Sequence, residues 1–183
     1  MYDAVAQDPS FFRLLTQIDA ELAAATRGGG CQHCSGRLHV ADFPRKPRGC
    51  PTAVAEEYSR RLSFTCGRCD LRATPPSVRF LGRRVYVAVV LMLNSPPDSA
   101  SAAQLSDLVG VSRRTVLRWR RWWTQEFPRT RLWRSVRSLF MPPIALTQLP
   151  QSLLDRFSSR APTVRLAQAL RLLSPLSGSC VIK

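Results

Sequence analysis

Cys31 and Cys34 stand in GCQHCSG, and Cys66 and Cys69 stand in TCGRCD. Two residues separate the cysteines of each pair, a spacing that lets a tight turn aim two thiolates and some backbone N–H groups at one ion. Two such turns complete a tetrahedron of sulfur, which suits zinc. The segment between the pairs has room for a β-hairpin and a loop. Two rival chemistries use the same residue type: a thiol redox pair, against which the duplication argues, and an iron–sulfur cluster. His33, His39 and Cys50 each offer a substitute ligand, but a histidine in such a turn is usually solvated and Cys50 sits in a proline-rich loop. Gly36 and Gly67 are expected to supply conformational freedom near each turn. Four protein ligands leave no open position for an activated water, so the metal is expected to fold the segment rather than to catalyse. With few large apolar residues of its own, the segment is not expected to fold without its ion.

The second chemically suggestive stretch is residues 110–123, GVSRRTVLRWRRWW. On a helical wheel Val116, Trp119 and Trp123 lie within about 40° of Ser112 at roughly 100° per residue. Arg113, Arg114, Leu117, Arg118 and Arg121 occupy the other side, and no acid follows until Glu126. A solvated charged face normally mixes signs; this one is guanidinium throughout and suits phosphate and guanine edges. The preceding residues give the layout of a helix-turn-helix. A first helix over 102–108 points Leu105 and Leu108 inward, and the small Ser106 lets the helices approach. Gly110 takes the turn and Ser112 caps the second helix. The N-terminal half of such a second helix touches base edges in the major groove. Arg113, Arg114 and Arg118 are therefore expected at bases, and Arg121 and Ser112 nearer phosphates. Arg45, Lys46 and Arg48, from the loop between the cysteine pairs, are expected to add a backbone contact.

The elements that must hold these residues are partly visible. Asp8 and Pro9 read as an N-cap and first helical residue, followed by an apolar stripe of Phe11, Leu15, Ile18 and Leu22, with the glycines of 28–30 ending the helix. Short alternating runs such as RRLSFT at 60–65 suit small strands. Residues 41–57 read as a loop, and Thr74, Pro75, Pro76 and Ser77 as a stiff boundary. Residues 81–94 are ambiguous between strand and buried helix; the helix reading supports the helix-turn-helix from behind, with Pro96 and Pro97 breaking it. Leu132, Trp133, Val136, Leu139 and Phe140 form a wide apolar stripe on a further helix, stopped by Pro142 and Pro143. Residues 151–157 and 164–173 read as two more helices, and 178–183 as a frayed tail. The expected fold is mainly α with a small β zinc ribbon and a helix-turn-helix bundle. Its segments are an N-terminal helix over 1–30, the ribbon over 31–77, the helix-turn-helix over 78–127 and a helical extension over 128–183. The apolar residues of 129–175 either complete the core or offer a homodimer or partner surface.

Composition bounds the function. The 183 residues carry 27 basic and 12 acidic side chains, a formal net charge of +15. Clustered charge of that size points to a polyanion, nucleic acid above all. Lys46 and Lys183 are the only lysines. The greasiest run, 85–93, is about half the length a membrane crossing needs. No secretory signal opens the chain, and the prenylation-box spacing of 180–183 ends in an atypical lysine. A cytoplasmic, nucleoid-associated protein is expected, in which paired cysteines indicate metal before disulfide.

A double-CxxC ribbon followed by LSDLVGVSRRTVLRWRRWW resembles the N-terminal DNA-binding part of bacterial insertion-sequence transposases and short mobile-element-associated proteins. The resemblance covers about 31–127 and implies binding to element ends or to a promoter. It departs from the family after that. Those transposases carry a catalytic domain with three spaced acids gripping magnesium, whereas only Glu126 and Asp155 lie beyond residue 110 here. Strand transfer by this chain alone is not expected. The leading expectation is a zinc-containing, sequence-specific double-stranded DNA-binding protein, accessory to a mobile element and to a separate transposase or recombinase subunit. A transcriptional regulator of a bacterial operon is the alternative. A nuclease or recombinase would need its nucleophile from a serine, Tyr58 or Tyr86. No serine shows a recognisable base and orienter, and both histidines lie beside the metal ligands, so no enzyme is expected. An RNA-binding protein is disfavoured because the A-form major groove is too narrow for a helix.

Overall fold

The computed structural model describes residues 3–81, 88, 92 and 102–180, with the side chains of 3, 108, 109, 179 and 180 excepted. It is mainly helical, with small antiparallel sheets near the cysteines and a helical bundle towards the C-terminus. After a short α1 (Asp3–Ala6), α2 (Pro9–Gly28) opens as its sequence dictates. The Asp8 carboxylate accepts from the Ser10 N–H, and Pro9 needs no donor of its own in the first turn. Phe11, Phe12, Leu15 and Ile18 are buried and Leu22 packs against them.

Between the cysteine pairs run β1 (Leu38–Val40), β2 (Phe43–Pro44) and β3 (Arg60–Arg61); β4 (Phe64–Cys66) leads into the second pair, and β5 (Arg72–Thr74) follows it. β4 is central. It pairs antiparallel with β1, Leu38 opposite Cys66 and Val40 opposite Phe64, and with β5, Phe64 opposite Ala73. The outer strand of this sheet is β6 (Ser179–Cys180), with Thr74 opposite Ser179. The tail expected to fray over 178–183 is thus paired as far as Cys180. It is drawn there because β5 would otherwise present unpaired N–H and C=O groups.

At the expected boundary over 74–77 the chain runs into the interior. Residues 77–81 are all buried. Asp19 of α2 accepts from the Ser77 hydroxyl at 2.6 Å, the Val78 N–H at 2.6 Å and Arg79 Nε at 2.7 Å. Arg79 in turn donates to the Glu57 carbonyl and lies over the rings of Tyr58 and Phe80. Ser177 closes the node, its hydroxyl accepting from the Ser77 N–H at 2.7 Å. The backbone of a proline-rich turn is buried here because a carboxylate from another element satisfies it.

Two helices, α3 (Ala102–Val109) and α4 (Arg113–Arg121), flank the turn at Gly110. The chain continues from α4 through a π-turn over Trp122–Glu126 and a 3-10 turn over Phe127–Arg129 into α5 (Arg131–Val136). Then come α6 (Gln151–Leu154) and α7 (Pro162–Leu173). Ala88 and Met92, four residues apart, are helical and buried; the rest of the helix expected over 81–94, and its breaker, lie outside the described residues. One apolar cluster runs through α2, residues 78–81, α3, α4, α5, α6 and α7. Leu153, Leu154, Leu166, Leu170 and Leu173 are all within it, so the C-terminal helices complete the chain's own core. Leu139 does not join them. The helix tightens to a 3-10 turn over Arg137–Leu139, which swings that side chain off the apolar stripe and leaves it 74% exposed. Among the described residues no helix is long and apolar enough to cross a membrane.

Substituting Asp19 by alanine would leave Arg79 charged, buried and unpaired. The expected loss is about 3–5 kcal/mol, read by equilibrium urea unfolding, whereas removing the exposed Arg13–Glu57 pair should cost under about 1 kcal/mol. Equal effects of the two would contradict the buried node.

Candidate functional site

The two CxxC turns are built alike. In the first, the Ser35 N–H donates to the Cys31 carbonyl and the Cys31 N–H to the Gly36 carbonyl; in the second, Asp70 donates to Cys66 and Cys66 to Leu71. In both, the residue after the second cysteine is left-handed, Ser35 at φ 56° and Asp70 at φ 55°. The expectation that Gly36 and Gly67 supply this freedom is therefore corrected. Gly36 is needed for space: a Cβ there would stand 2.9 Å from Cys66 Sγ and 3.2 Å from Cys34 Sγ, whereas one on Gly67 would meet the exposed His39 ring, 2.8 Å from its Nε2, which can swing aside.

Cys31, Cys34, Cys66 and Cys69 bring their sulfurs within 4.8 Å of one another. Cys31 and Cys69 are 3.6 Å apart and Cys34 and Cys66 3.4 Å. Sulfurs on a tetrahedron around zinc, each at about 2.3 Å, would be separated by about 3.8 Å. Backbone N–H groups of Arg68 and Cys69 pull the Cys66 thiol down to about 6, the Arg68 N–H lying 3.4 Å from its sulfur. The N–H groups of His33 and Cys34 lower Cys31. Cys69 accepts from the Leu71 N–H, which lowers it, but burial and the neighbouring sulfurs outweigh that and push it up to about 12. Burial and neighbouring sulfurs thus oppose the ionisation of Cys34 and Cys69, and a divalent cation at the centre would relieve that opposition. The four cysteines are positioned to coordinate a metal ion, and the donor set is consistent with a structural zinc site.

His33 and His39 are exposed and outside the cluster, and Cys50 packs against the main apolar core instead. Around the sulfurs the local core is small. Among the described residues Leu38 and Phe64 are its large buried apolar side chains, joined by Ala23 of α2.

The second candidate surface lies on α4. Ser112 caps it, its hydroxyl accepting from the Thr115 N–H, and Gly110 turns at φ 62°. Ser106 does more than leave room. Its hydroxyl donates to the Val111 carbonyl while the Val111 N–H donates to the Ser106 carbonyl, clasping the turn from both sides. Leu105, Val116, Trp119 and Trp123 are buried; Ser112, Arg113, Arg114, Leu117, Arg118 and Arg121 are exposed. Among the described residues no salt bridge involves these arginines. Arg121 Nε donates to Gln125 Oε1 at 2.8 Å.

In the loop, Lys46 and Arg48 are exposed, while Arg45 lies with its guanidinium 5.1 Å from the centre of the Phe43 ring and 5.9 Å from that of Phe80. Burial lowers the Arg45 pKa. Sequence reasoning missed the buried cations Arg61 and Arg79, since nothing local distinguishes them from the exposed arginines. Comparison with family models, with curated proteins and with solved structures finds no match for this chain.

The chain purified from zinc-supplemented cells is expected to carry one zinc per molecule by elemental analysis. Chelation should release amide protection over 31–74 by hydrogen exchange before the helical core opens, and Gly36→Ala should weaken zinc retention at least roughly tenfold by crowding the sulfurs. Protection of 31–74 that ignores the chelator would overturn the metal's structural role.

Proposed function

We propose that this chain is a zinc-stapled, sequence-specific double-stranded DNA-binding protein that inserts α4 into the major groove. The observation that carries the reading is the partition of α4: its tryptophans are locked in the core, while its outward face is guanidinium-lined and free of acidic partners among the described residues. Arg113, Arg114 and Arg118 lie where a second helix of this layout meets base edges, and each suits the two acceptors of a guanine. Leu117, 48% exposed in the middle of that face, suits a thymine methyl. Arg121 and Ser112 are assigned to phosphates, as are Lys46 and Arg48. Arg45 is assigned to the ring stack instead.

In this reading zinc has no chemical step. Its four cysteine ligands keep the ribbon folded, and the ribbon is tied to α2 and to β6. The sequence layout, a double-CxxC segment followed by LSDLVGVSRRTVLRWRRWW, is the support for a role accessory to a transposase or recombinase, on the nucleoid; recruitment to an operator as a transcriptional regulator uses the same surface. The reading assigns no catalysis to the chain.

With about six phosphates neutralised, log affinity for duplex DNA is expected to fall with log salt at a slope near roughly −5, measured by fluorescence anisotropy. On a site selected from random duplex, Arg114→Ala should cost about 1–3 kcal/mol and relax specificity at one position, whereas Arg48→Ala should weaken all duplexes alike. Binding indifferent to salt, or structured RNA outcompeting duplex, would sink the reading.

A further inference from the structure

The most exposed large apolar side chains among the described residues are Leu139 and Met141, at 74% and 80%. They stand together on the turn that leaves α5, in LFMPP. The turn is pinned rather than loose. On one side Phe140 stacks on Trp133 with ring centres 6.1 Å apart; on the other Ile144 is buried in the core. From beneath, the Arg156 guanidinium donates to the carbonyls of Pro142 and Pro143. A fixed turn that holds two large apolar side chains in water is a surface awaiting a partner.

The surroundings say which partner. No acidic residue occurs between Glu126 and Asp155, while Arg129, Arg131, Arg134 and Arg137 do, all four exposed. An apolar tip that follows a run of exposed arginines with no acid among them complements a polyanion that offers apolar surface between its charges, as stacked bases do between two phosphate strands. The turn is also coupled to α4. Trp123, Phe127, Trp133 and Phe140 form a continuous run of ring contacts at 5.0, 5.1 and 6.1 Å, so the back of the arginine helix and the base of the tip share one aromatic spine.

The geometry points to a second DNA contact: Leu139 and Met141 act as a wedge that enters the minor groove, partly unstacks a base step and bends the duplex, while the flanking arginines hold the phosphates. It rests on the DNA-binding reading of α4 and extends it from recognition to deformation. Apolar wedges of this kind kink DNA towards the major groove, where α4 lies in that reading. A flexible pyrimidine–purine step is the favoured target because it unstacks most readily.

The test uses the full zinc-loaded chain and a linear duplex of about 120 bp, shorter than the persistence length of about 150 bp, circularised by ligase. The wild-type chain should raise the yield of monomer circles several-fold. The L139A/M141A variant should return it to the protein-free level and weaken binding on the order of tenfold, with an unchanged thermal melt because both side chains are exposed. Leu139→Met should retain bending. Wild-type chain that does not bind duplex at all defeats the α4 reading itself. Chain that binds but gives the same circle yield with and without the two side chains defeats the wedge alone. So does a variant whose only change is loss of a dimer in sedimentation, or loss of binding to vesicles of anionic phospholipid; either assigns the tip to another surface.

Discussion

A single buried carboxylate organises this protein. Asp19 emerges from the middle of α2 into the interior, where it meets Arg79 and accepts two further hydrogen bonds from Ser77 and Val78. An ion pair removed from water is stable only if its remaining lone pairs and N–H groups are satisfied. Here the Glu57 carbonyl and the faces of Tyr58 and Phe80 complete the guanidinium's surroundings. The geometry that satisfies one pair therefore fixes α2, the exit of the ribbon and the entry to the helical half of the chain. Ser177 joins the same node from near the other end of the sequence.

The two halves are held by different physics. The helical half owns a continuous apolar core, with Trp119, Trp123 and Phe127 filling its centre. Around its sulfurs the ribbon buries Leu38 and Phe64, while its Val54 and Tyr58 join the main apolar core, so the order of the cysteine end depends on the sulfur cluster and on its neighbours. α2 covers one face through Ala23, and β6 covers the edge of β5. The four-cysteine cluster, positioned to coordinate a metal ion, and the buried ion pair are complementary devices: the first gathers the two CxxC turns of the ribbon, the second fastens the ribbon to the helices.

The same residue type serves opposite ends. Arg113, Arg114, Arg118 and Arg121 of α4 and Arg131 and Arg134 of α5 stand in solvent as a charged surface, while Arg61 and Arg79 are buried and Arg45 lies over aromatic rings. Burial pulls the Arg61 pKa down to about 10, an effect the Asp19 charge partly offsets. What separates the classes is whether backbone carbonyls, a carboxylate or rings are at hand to replace water. Arg61 has the Pro75 and Leu62 carbonyls; Arg79 has Asp19.

Features governed by neighbours in sequence were legible in it. The CxxC turns, the Asp8 cap with Pro9, the left-handed Gly110, the Ser112 cap and the division of α4 into tryptophan and arginine faces all depend on residues within a few positions of one another. Local periodicity and turn chemistry are enough to specify them. The burial of 77–81, the pairing of β6 and the fate of each arginine were decided only by tertiary structure. Their causes are partners far away along the chain, 60 residues for Arg79 with Asp19 and 100 for Ser77 with Ser177. A polar group's place inside or outside is set by whether such a partner arrives, and no local pattern encodes that.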